Sequence, residues 1–312
     1  PGVVFRRGDE VVVTSSAPLV QDVDTVPLPA RHLIDNTIYY SFISRLRNFT
    51  PLMTSRGCPF RCIFCEQGGV RFRPRSPGVV VDEIEQAMRD HGVREFDFFD
   101  SAFTINKPRV HAICEEIGRR DLKFVWAARS RVDSVDAPML RAMRAAGCDR
   151  IYYGLESGNR EILRTLRKAA DLDQMVETVA MTREIGIETF GYFMFGSPGE
   201  DEATARQTVR LSLRLDLDYA QYSKVTPMPG TELYDMLVAE TGRDLWREIV
   251  LDEANDTHLP RPRCDLNEQQ IQEMTRLAYL RFYYRPSYIL RALKRLQSFD
   301  ELRRSVRTAA QM

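Results

Sequence analysis

From about residue 51 to residue 225 the sequence alternates short apolar runs with stretches of helical period, and few architectures accept that pattern. Residues 52–55, 96–99, 124–128, 150–155, 189–195 and 219–225 predict strands. Residues 81–91, 107–119, 138–146, 159–166, 172–185 and 202–215 predict helices. Gly92, Gly147 and Gly186 are suited to end the helices before them, and Asn106 is placed to cap the second at its N-terminus. Strands separated by helices of this length give right-handed βαβ units and a parallel sheet, the α/β class. Six such strands fit either an open doubly wound sheet or a partial barrel. Both place chemistry at the C-terminal ends of the strands.

Those strand ends are polar. They read Asp100-Ser101-Ala102, Arg129-Ser130-Arg131, Gly154-Leu155-Glu156-Ser157-Gly158, Gly196-Ser197-Pro198-Gly199-Glu200 and Thr226-Pro227-Met228-Pro229-Gly230. Each alone is ordinary turn chemistry. Together they ring one face with hydrogen-bonding groups, as a polar nucleoside-like ligand would require. The stretch from Gly196 to Gly199 lacks the lysine and the spacing of a phosphate loop, which argues against nucleoside triphosphates.

The first strand runs into Cys58-x3-Cys62-x2-Cys65, three of the chain's six cysteines. Short spacings let one loop aim several thiolates at one soft metal centre. Three are one fewer than a closed zinc or iron–sulfur site needs. The fourth ligand is either distant, with His32 a candidate, or absent by design. Six cysteines in 312 residues are too sparse for a disulfide framework and fit a reducing compartment with one metal site; Cys114, Cys148 and Cys264 read as small structural thiols. The formal net charge is zero, so nothing global points to nucleic acid or an anionic membrane. No apolar run approaches the roughly 18–20 residues of a membrane span, and the opening residues 1–7 read as a short strand-like piece without a signal-peptide pattern.

The triad resembles the signature of radical S-adenosylmethionine enzymes. The stretches Thr54-Ser55-Arg56-Gly57-Cys58-Pro59-Phe60, Gly154-Leu155-Glu156-Ser157-Gly158, Gly191 to Glu200 and Thr226 to Thr231 are similar to the subgroup that follows a cobalamin-binding domain. That subgroup includes cobalamin-dependent methyltransferases and anaerobic magnesium-protoporphyrin ester cyclases. The resemblance implies a partial (β/α)6 TIM-type barrel with a C-terminal helical extension. It implies a 4Fe–4S cluster on Cys58, Cys62 and Cys65, with S-adenosylmethionine on the fourth iron, and a 5′-deoxyadenosyl radical formed by C–S cleavage. It places Phe64 beside the adenine, Glu156 at the ribose, Lys168 at the methionine carboxylate, and Arg129 and Ser130 at the methionine end. Asp100 stands near the position of a glycine-rich motif that receives the amino group, but Phe99-Asp100-Ser101-Ala102 has no paired glycines.

Residues 1–50 read as a hairpin and a Pro-rich linker, resembling the end of a cobalamin-binding domain outside the chain, since a chain opening on Pro1 is expected to be a fragment. Residues 51–240 are the expected barrel and 241–312 a helical extension, with helical spacing over Ile271–Phe282 and again from Tyr288 to Arg307. The basic stretch beyond residue 280 reads as a solvated helical face, or a cap docked on the barrel or on a missing domain, in preference to an anion-binding patch. Arg56, Arg61, Arg71, Arg73 and Arg75 surround the cysteine loop, as a solvated loop or as cations for the cluster, an anionic substrate or a reductase. The implied function is reductive cleavage of S-adenosylmethionine for methylation or cyclisation of a small molecule. Cobalamin would be held upstream, electrons would come from a flavodoxin- or ferredoxin-type donor, and the setting would be cytoplasmic. Two alternatives are a non-catalytic zinc or electron-transfer module and an RNA-modifying methylthiotransferase. The absence of a recognisable RNA-binding domain after the barrel weighs against the second.

Overall fold

The computed structural model describes residues 1–39, 43–46, 48–251 and 260–295, with side chains through residue 292. An exposed hairpin, β1 (Val4–Arg7) and β2 (Glu10–Val13), is followed by a linker with three short 3-10 turns. The main sheet then begins. Its strands are β3 (Phe49–Leu52), β6 (Glu95–Phe98), β7 (Val125–Ser130), β8 (Cys148–Glu156), β9 (Glu188–Phe195) and β10 (Tyr219–Lys224). All five pairings are parallel and the strands lie side by side in chain order. An order that never reverses has no topological switch point, so the sheet is not doubly wound. It curls into a six-stranded half-barrel.

The connecting helices are α1 (Pro77–His91), α2 (Lys107–Arg119), α3 (Ala137–Ala145), α4 (Arg160–Thr165), α5 (Leu172–Glu184) and α6 (Glu202–Arg214). Local chemistry sets their ends. Asn106 accepts from the Arg109 amide, Asp201 and Thr204 form a capping box, and Gly92 closes α1 in the left-handed conformation. α1 starts four residues before the expected position because Pro77 suits a first helical turn. Two further helices follow, α7 (Glu232–Thr241), where the sequence pattern indicated no element, and α8 (Leu245–Val250), within the segment expected as a helical extension.

The sheet has two unlike faces, as a strand's two-residue period dictates. Phe96, Phe98, Trp126, Ala128, Ile151, Tyr153, Phe193 and Phe195 point outward into the helices and form the main core. The concave face carries Ala127, Tyr152 and Phe190, packed with Tyr192 and Tyr219. Below this aromatic layer Arg150, 3 % exposed, pairs with Glu188 at 2.7 Å.

A half-barrel has two free edges, and each must be managed. At β10 the edge is sealed by α9 (Glu268–Tyr283). The Tyr283 hydroxyl receives the Ala220 amide and donates to the Ala220 carbonyl at 2.7 Å, and Tyr279 does the same for Tyr222. The same helix drives Ile271, Met274, Ala278 and Phe282 into the main core. α10 (Pro286–Arg295) follows, with Arg291 paired to Asp216 after α6. The expected basic cap is therefore docked on the barrel as far as it is described; the continuation expected to residue 307 lies outside the described residues. At β3 the edge is covered differently. Pro51 removes one amide, and Arg31 of the linker reaches the Pro51 carbonyl while pairing with Glu83 of α1 at 2.7 Å.

The first strand departs from expectation. Residues 52–55 do not form one run into the cysteine loop. β3 ends at Leu52, and the chain turns into a separate antiparallel hairpin, β4 (Ser55–Cys58) with β5 (Val70–Pro74), which carries the cysteines at its tip. The turn is made by Asp100, fully buried after β6. Its carboxylate accepts from the Thr54 amide at 2.6 Å, the Ser55 amide at 3.2 Å, the Ser55 hydroxyl at 2.8 Å and the Thr54 hydroxyl. Asp100→Ala would strand two amides and two hydroxyls in a dry site. The expected loss is about 3–5 kcal/mol, with about 1–2 kcal/mol for Asp100→Asn, which keeps one acceptor oxygen. Denaturant midpoints of the two variants test this; near-native stability for Asp100→Ala would refute the role.

Candidate active site

The cysteine loop rests on the C-terminal mouth of the half-barrel. Inside it, the Cys65 amide donates to the Cys62 carbonyl, Gly68 to Cys65 and Gly69 to Phe60. Outside it, the Ile63 amide donates to the Leu166 carbonyl after α4, and the Ile63 carbonyl accepts from Leu233 at the start of α7. Ile63 thus sits between two helices in a small cluster with Ile162, Leu166, Val225 and Leu233, and Phe64 packs against that cluster with Met194. The backbone of the loop is fixed, and rotation of the side chains is the movement left to it.

Cys58 is buried, while Cys62 and Cys65 are half-buried and all six cysteines are free. Among the described residues no three His, Cys, Asp or Glu side chains already stand together as a metal group. The donor chemistry nevertheless fits a centre with three thiolates and an open position: three thiols on one closed turn, facing cations. Burial pushes the Cys58 and Cys62 thiols up, and Arg131 and Lys168 act in the opposite direction on both.

Arg131 was not singled out by the sequence reading. It is 5 % exposed, stacks 3.8 Å over the Phe60 ring, forks onto Asp133 and donates to the Ala169 carbonyl at 3.1 Å. Strand alternation gave a signal for it, since 129 and 131 share a parity that 130 does not. Lys168 is buried and donates to Glu156 at 2.9 Å. This pair shapes its own surroundings. A Cβ on Gly154 would come within 2.5 Å of the Glu156 carboxylate and 2.8 Å of the Lys168 ammonium. Glu156 itself adopts a left-handed conformation, φ 61°, where β8 slips register against β9.

Arg129 and Ser130, expected to act together, face opposite ways. Arg129 lies on the concave face, forked onto Asp97 at 2.5 and 3.1 Å and stacked 3.5 Å over Phe99 and 4.8 Å over Tyr152. Ser130 points outward into a hydroxyl cluster with Thr104, at 2.5 Å, and Ser134. The Asp100 carboxylate is committed to Thr54 and Ser55. Three of the five loop arginines are likewise structural: Arg71 donates to Gln21, Arg73 to the Val20 carbonyl, and buried Arg75 pairs with Glu83. His32 is exposed in its linker turn.

At the end of β9 the Glu200 carboxylate accepts from the Gly196 and Ser197 amides at 2.5 and 3.1 Å, and its second oxygen has no hydrogen-bond partner. Burial raises its carboxyl from an ordinary 4.5 to about 7, with Asp201 adding to the rise. The folded state therefore binds this proton more tightly than the unfolded chain does. That contribution is complete below pH 4.5 and is lost as pH rises through 7. Glu200→Gln should remove this component. The variant is expected to gain up to about 3 kcal/mol relative to the native protein between pH 5 and pH 7 or above, read from denaturation midpoints across pH. A constant difference would show that Glu200 ionises normally.

This geometry can be set beside known proteins. A methyltransferase of Pyrococcus horikoshii described as uncharacterized is 31% identical over 296 residues, covering 93% of this chain and 62% of that protein. The anaerobic magnesium-protoporphyrin IX monomethyl ester cyclase of Cereibacter sphaeroides is 35% identical over 242 residues, covering 76% of this chain and 39% of that protein. The chain thus spans less than two thirds of either relative. Among solved structures, the radical S-adenosylmethionine methyltransferase TsrM from Kitasatospora setae, with cobalamin and a 4Fe–4S cluster bound, superposes with a TM-score of 0.57. It is 23% identical, over 61% of this chain and 40% of that one, a likeness of fold. Residues 52–212 match the model of the radical SAM superfamily. With that match covering just over half its length, the chain belongs to the radical S-adenosylmethionine superfamily.

Proposed function

We propose that this chain is the radical-generating part of an enzyme that reductively cleaves S-adenosylmethionine in order to methylate or cyclise a small molecule. Superfamily membership carries a 4Fe–4S cluster and S-adenosylmethionine as cofactors. The observation that supports the reading best is the fixed three-cysteine loop at the mouth of the half-barrel, facing Arg131 and the buried Lys168–Glu156 pair. When bound, the cluster supplies the electron for breaking the sulfonium C–S bond.

The chain's own residues bind, orient and exclude water. Cys58, Cys62 and Cys65 are the ligands in this reading, and Arg131 and Lys168 offset their negative charge. Phe64 offers an apolar wall for the adenine. Glu156 can accept a hydrogen bond from a ribose hydroxyl while still holding Lys168, and Lys168 has donors left for the methionine carboxylate. Arg129 presents a fixed cation on the concave face. Ser130 and Asp100 act by holding the strand end and the hairpin in place. Phe60 and the tyrosines of the concave face keep the site dry, as an unselective radical requires.

Cobalamin belongs to the reading through a domain outside this chain, joined by residues 1–50 to the barrel of 51–240 and the extension of 241–312. TsrM, which was solved with cobalamin bound, and the length of the relatives support that assignment. A flavodoxin- or ferredoxin-type donor and a cytoplasmic, reducing setting complete it, in keeping with six free cysteines; no described helix is long and apolar enough to cross a membrane.

Anaerobic reconstitution with iron and sulfide, followed by dithionite and S-adenosylmethionine, is expected to yield 5′-deoxyadenosine or S-adenosylhomocysteine. Cys58→Ala, Cys62→Ala and Cys65→Ala should each lower iron loading and product by about 100-fold. One tightly bound zinc without iron, or a fully loaded protein that forms neither product with candidate substrates present, would overturn the proposal.

A further inference from the structure

The two edges of the half-barrel are treated unequally. Tyr279 and Tyr283 seal β10, but at β3 the linker covers the edge only in part. Beside the Arg31 contact it leaves a cavity of about 680 Å³ between residues 23–39 and the strand edge. That is the size of an ordinary small-molecule pocket. Its walls are mostly apolar, among them Pro27, Ile34, Tyr39, Phe49 and Met53.

Its charges do not balance. Three arginines, Arg31, Arg56 and Arg75, line it against one carboxylate, Glu83. Glu83 already serves both Arg31 and Arg75. Arg75 is 9 % exposed, and its Nε and Nη2 have no hydrogen-bond partner. Arg56 is exposed, with no ion-pair partner among the described residues. Those two Arg75 nitrogens are sealed from solvent and do not open onto the cavity, so the cation it offers a ligand is the exposed Arg56 guanidinium, which an anion would pair.

The cavity also touches the catalytic end of the fold. Ser55 and Arg56 line it and belong to β4, the strand that ends at Cys58. Phe99 lines it too, and the same ring lies under Arg129 on the concave face. A molecule held here is adjacent to the foot of the cysteine hairpin.

We infer that this cavity is a substrate pocket that binds an apolar small molecule carrying one anionic group, with the anion toward Arg56 and the apolar body against the linker. Its role as the substrate pocket rests on the function proposed above; its ligand class does not.

Two fluorescent probes separate these statements in the full chain, cluster-loaded and cluster-free. They are anilinonaphthalene sulfonate and its uncharged parent, N-phenylnaphthylamine. One saturable site is expected, with the sulfonate bound about tenfold more tightly than the neutral probe. Arg56→Gln, at an exposed position, should abolish that preference and leave the neutral probe's affinity unchanged. Ile34→Trp should fill the cavity and weaken both probes about tenfold, with circular dichroism confirming its fold; if it does not fold, Arg56→Gln decides alone. Equal affinity for the two probes, a preference that survives Arg56→Gln, or binding untouched in a folded Ile34→Trp would each overturn the inference. Lost probe binding with intact S-adenosylmethionine cleavage sinks the pocket and spares the proposed function. Intact binding without cleavage sinks that function and the substrate role, and upholds the ligand class.

Discussion

The Asp100 carboxylate, buried behind the second strand of the sheet, decides where the cysteines go. It takes hold of the Thr54 and Ser55 amides and hydroxyls and so turns the chain out of β3 into the hairpin. Arg109 of α2 completes the clamp, donating to the Thr54 carbonyl at 2.6 Å and to the Arg75 carbonyl at 2.8 Å. Both feet of the hairpin are thereby fixed by one anion and one cation, each buried, each set on the barrel. A buried charge of this kind is tolerated only when its hydrogen bonds are satisfied, and here the backbone and hydroxyls at the feet of the hairpin satisfy nearly all of them. Arg109 Nη1 is the exception. The reactive loop is carried by the scaffold although none of its own cysteines belongs to the main sheet.

From that clamp the site is built in layers along the concave face. Arg150, Glu188 and Asp149 form an ionic floor. The aromatic layer of Tyr152, Phe190, Tyr192 and Tyr219 covers it. Above the aromatics lies Arg129, held flat between Asp97 and two rings, and above Arg129 the mouth with Arg131, Lys168 and the thiols. Stacking and forked ion pairs restrict the guanidinium to one plane, which a flexible surface arginine never has. The outer face needs no such order, and it is filled with aliphatic and aromatic side chains against the helices.

The periodicity of residues 96–225 was sufficient to read five strands, their intervening helices and the parallel sheet, because each element buries one face of its own. Caps such as Asn106 were equally legible, being contacts between residues three apart. What the pattern could not carry is long-range. Asp100 bonds to Thr54 across 46 residues, and Arg31 to Glu83 across 52. Nothing local distinguishes these carboxylates from surface ones. The choice between barrel and doubly wound sheet was hidden for the same reason, since strand order is a property of packing. Placing Arg129 and Ser130 in one role overlooked a local rule, because neighbours on a strand face opposite sides. Applying that rule puts Arg131, and not Ser130, on the same side as Arg129.

The end of β8 shows how such a site holds its geometry. A non-glycine residue at φ 61° costs on the order of 1 kcal/mol or more. Glu156 sustains that conformation where its strand slips register, and the slip aims its carboxylate at Lys168. The space the pair occupies exists because Gly154 has no Cβ. Lys168 is in turn fixed by its backbone bond to Leu163 at the end of α4, the same turn whose Leu166 carbonyl holds Ile63 in the cysteine loop. Strain in the strand, a missing side chain, an ion pair and the loop are thus links in one chain of contacts. A displacement of the loop would have to unmake the Leu166 contact before it could move the thiols relative to Lys168. The separation of the loop backbone from the Lys168 backbone is therefore set by the barrel, and only side-chain rotation is left to vary the gap between thiols and cation.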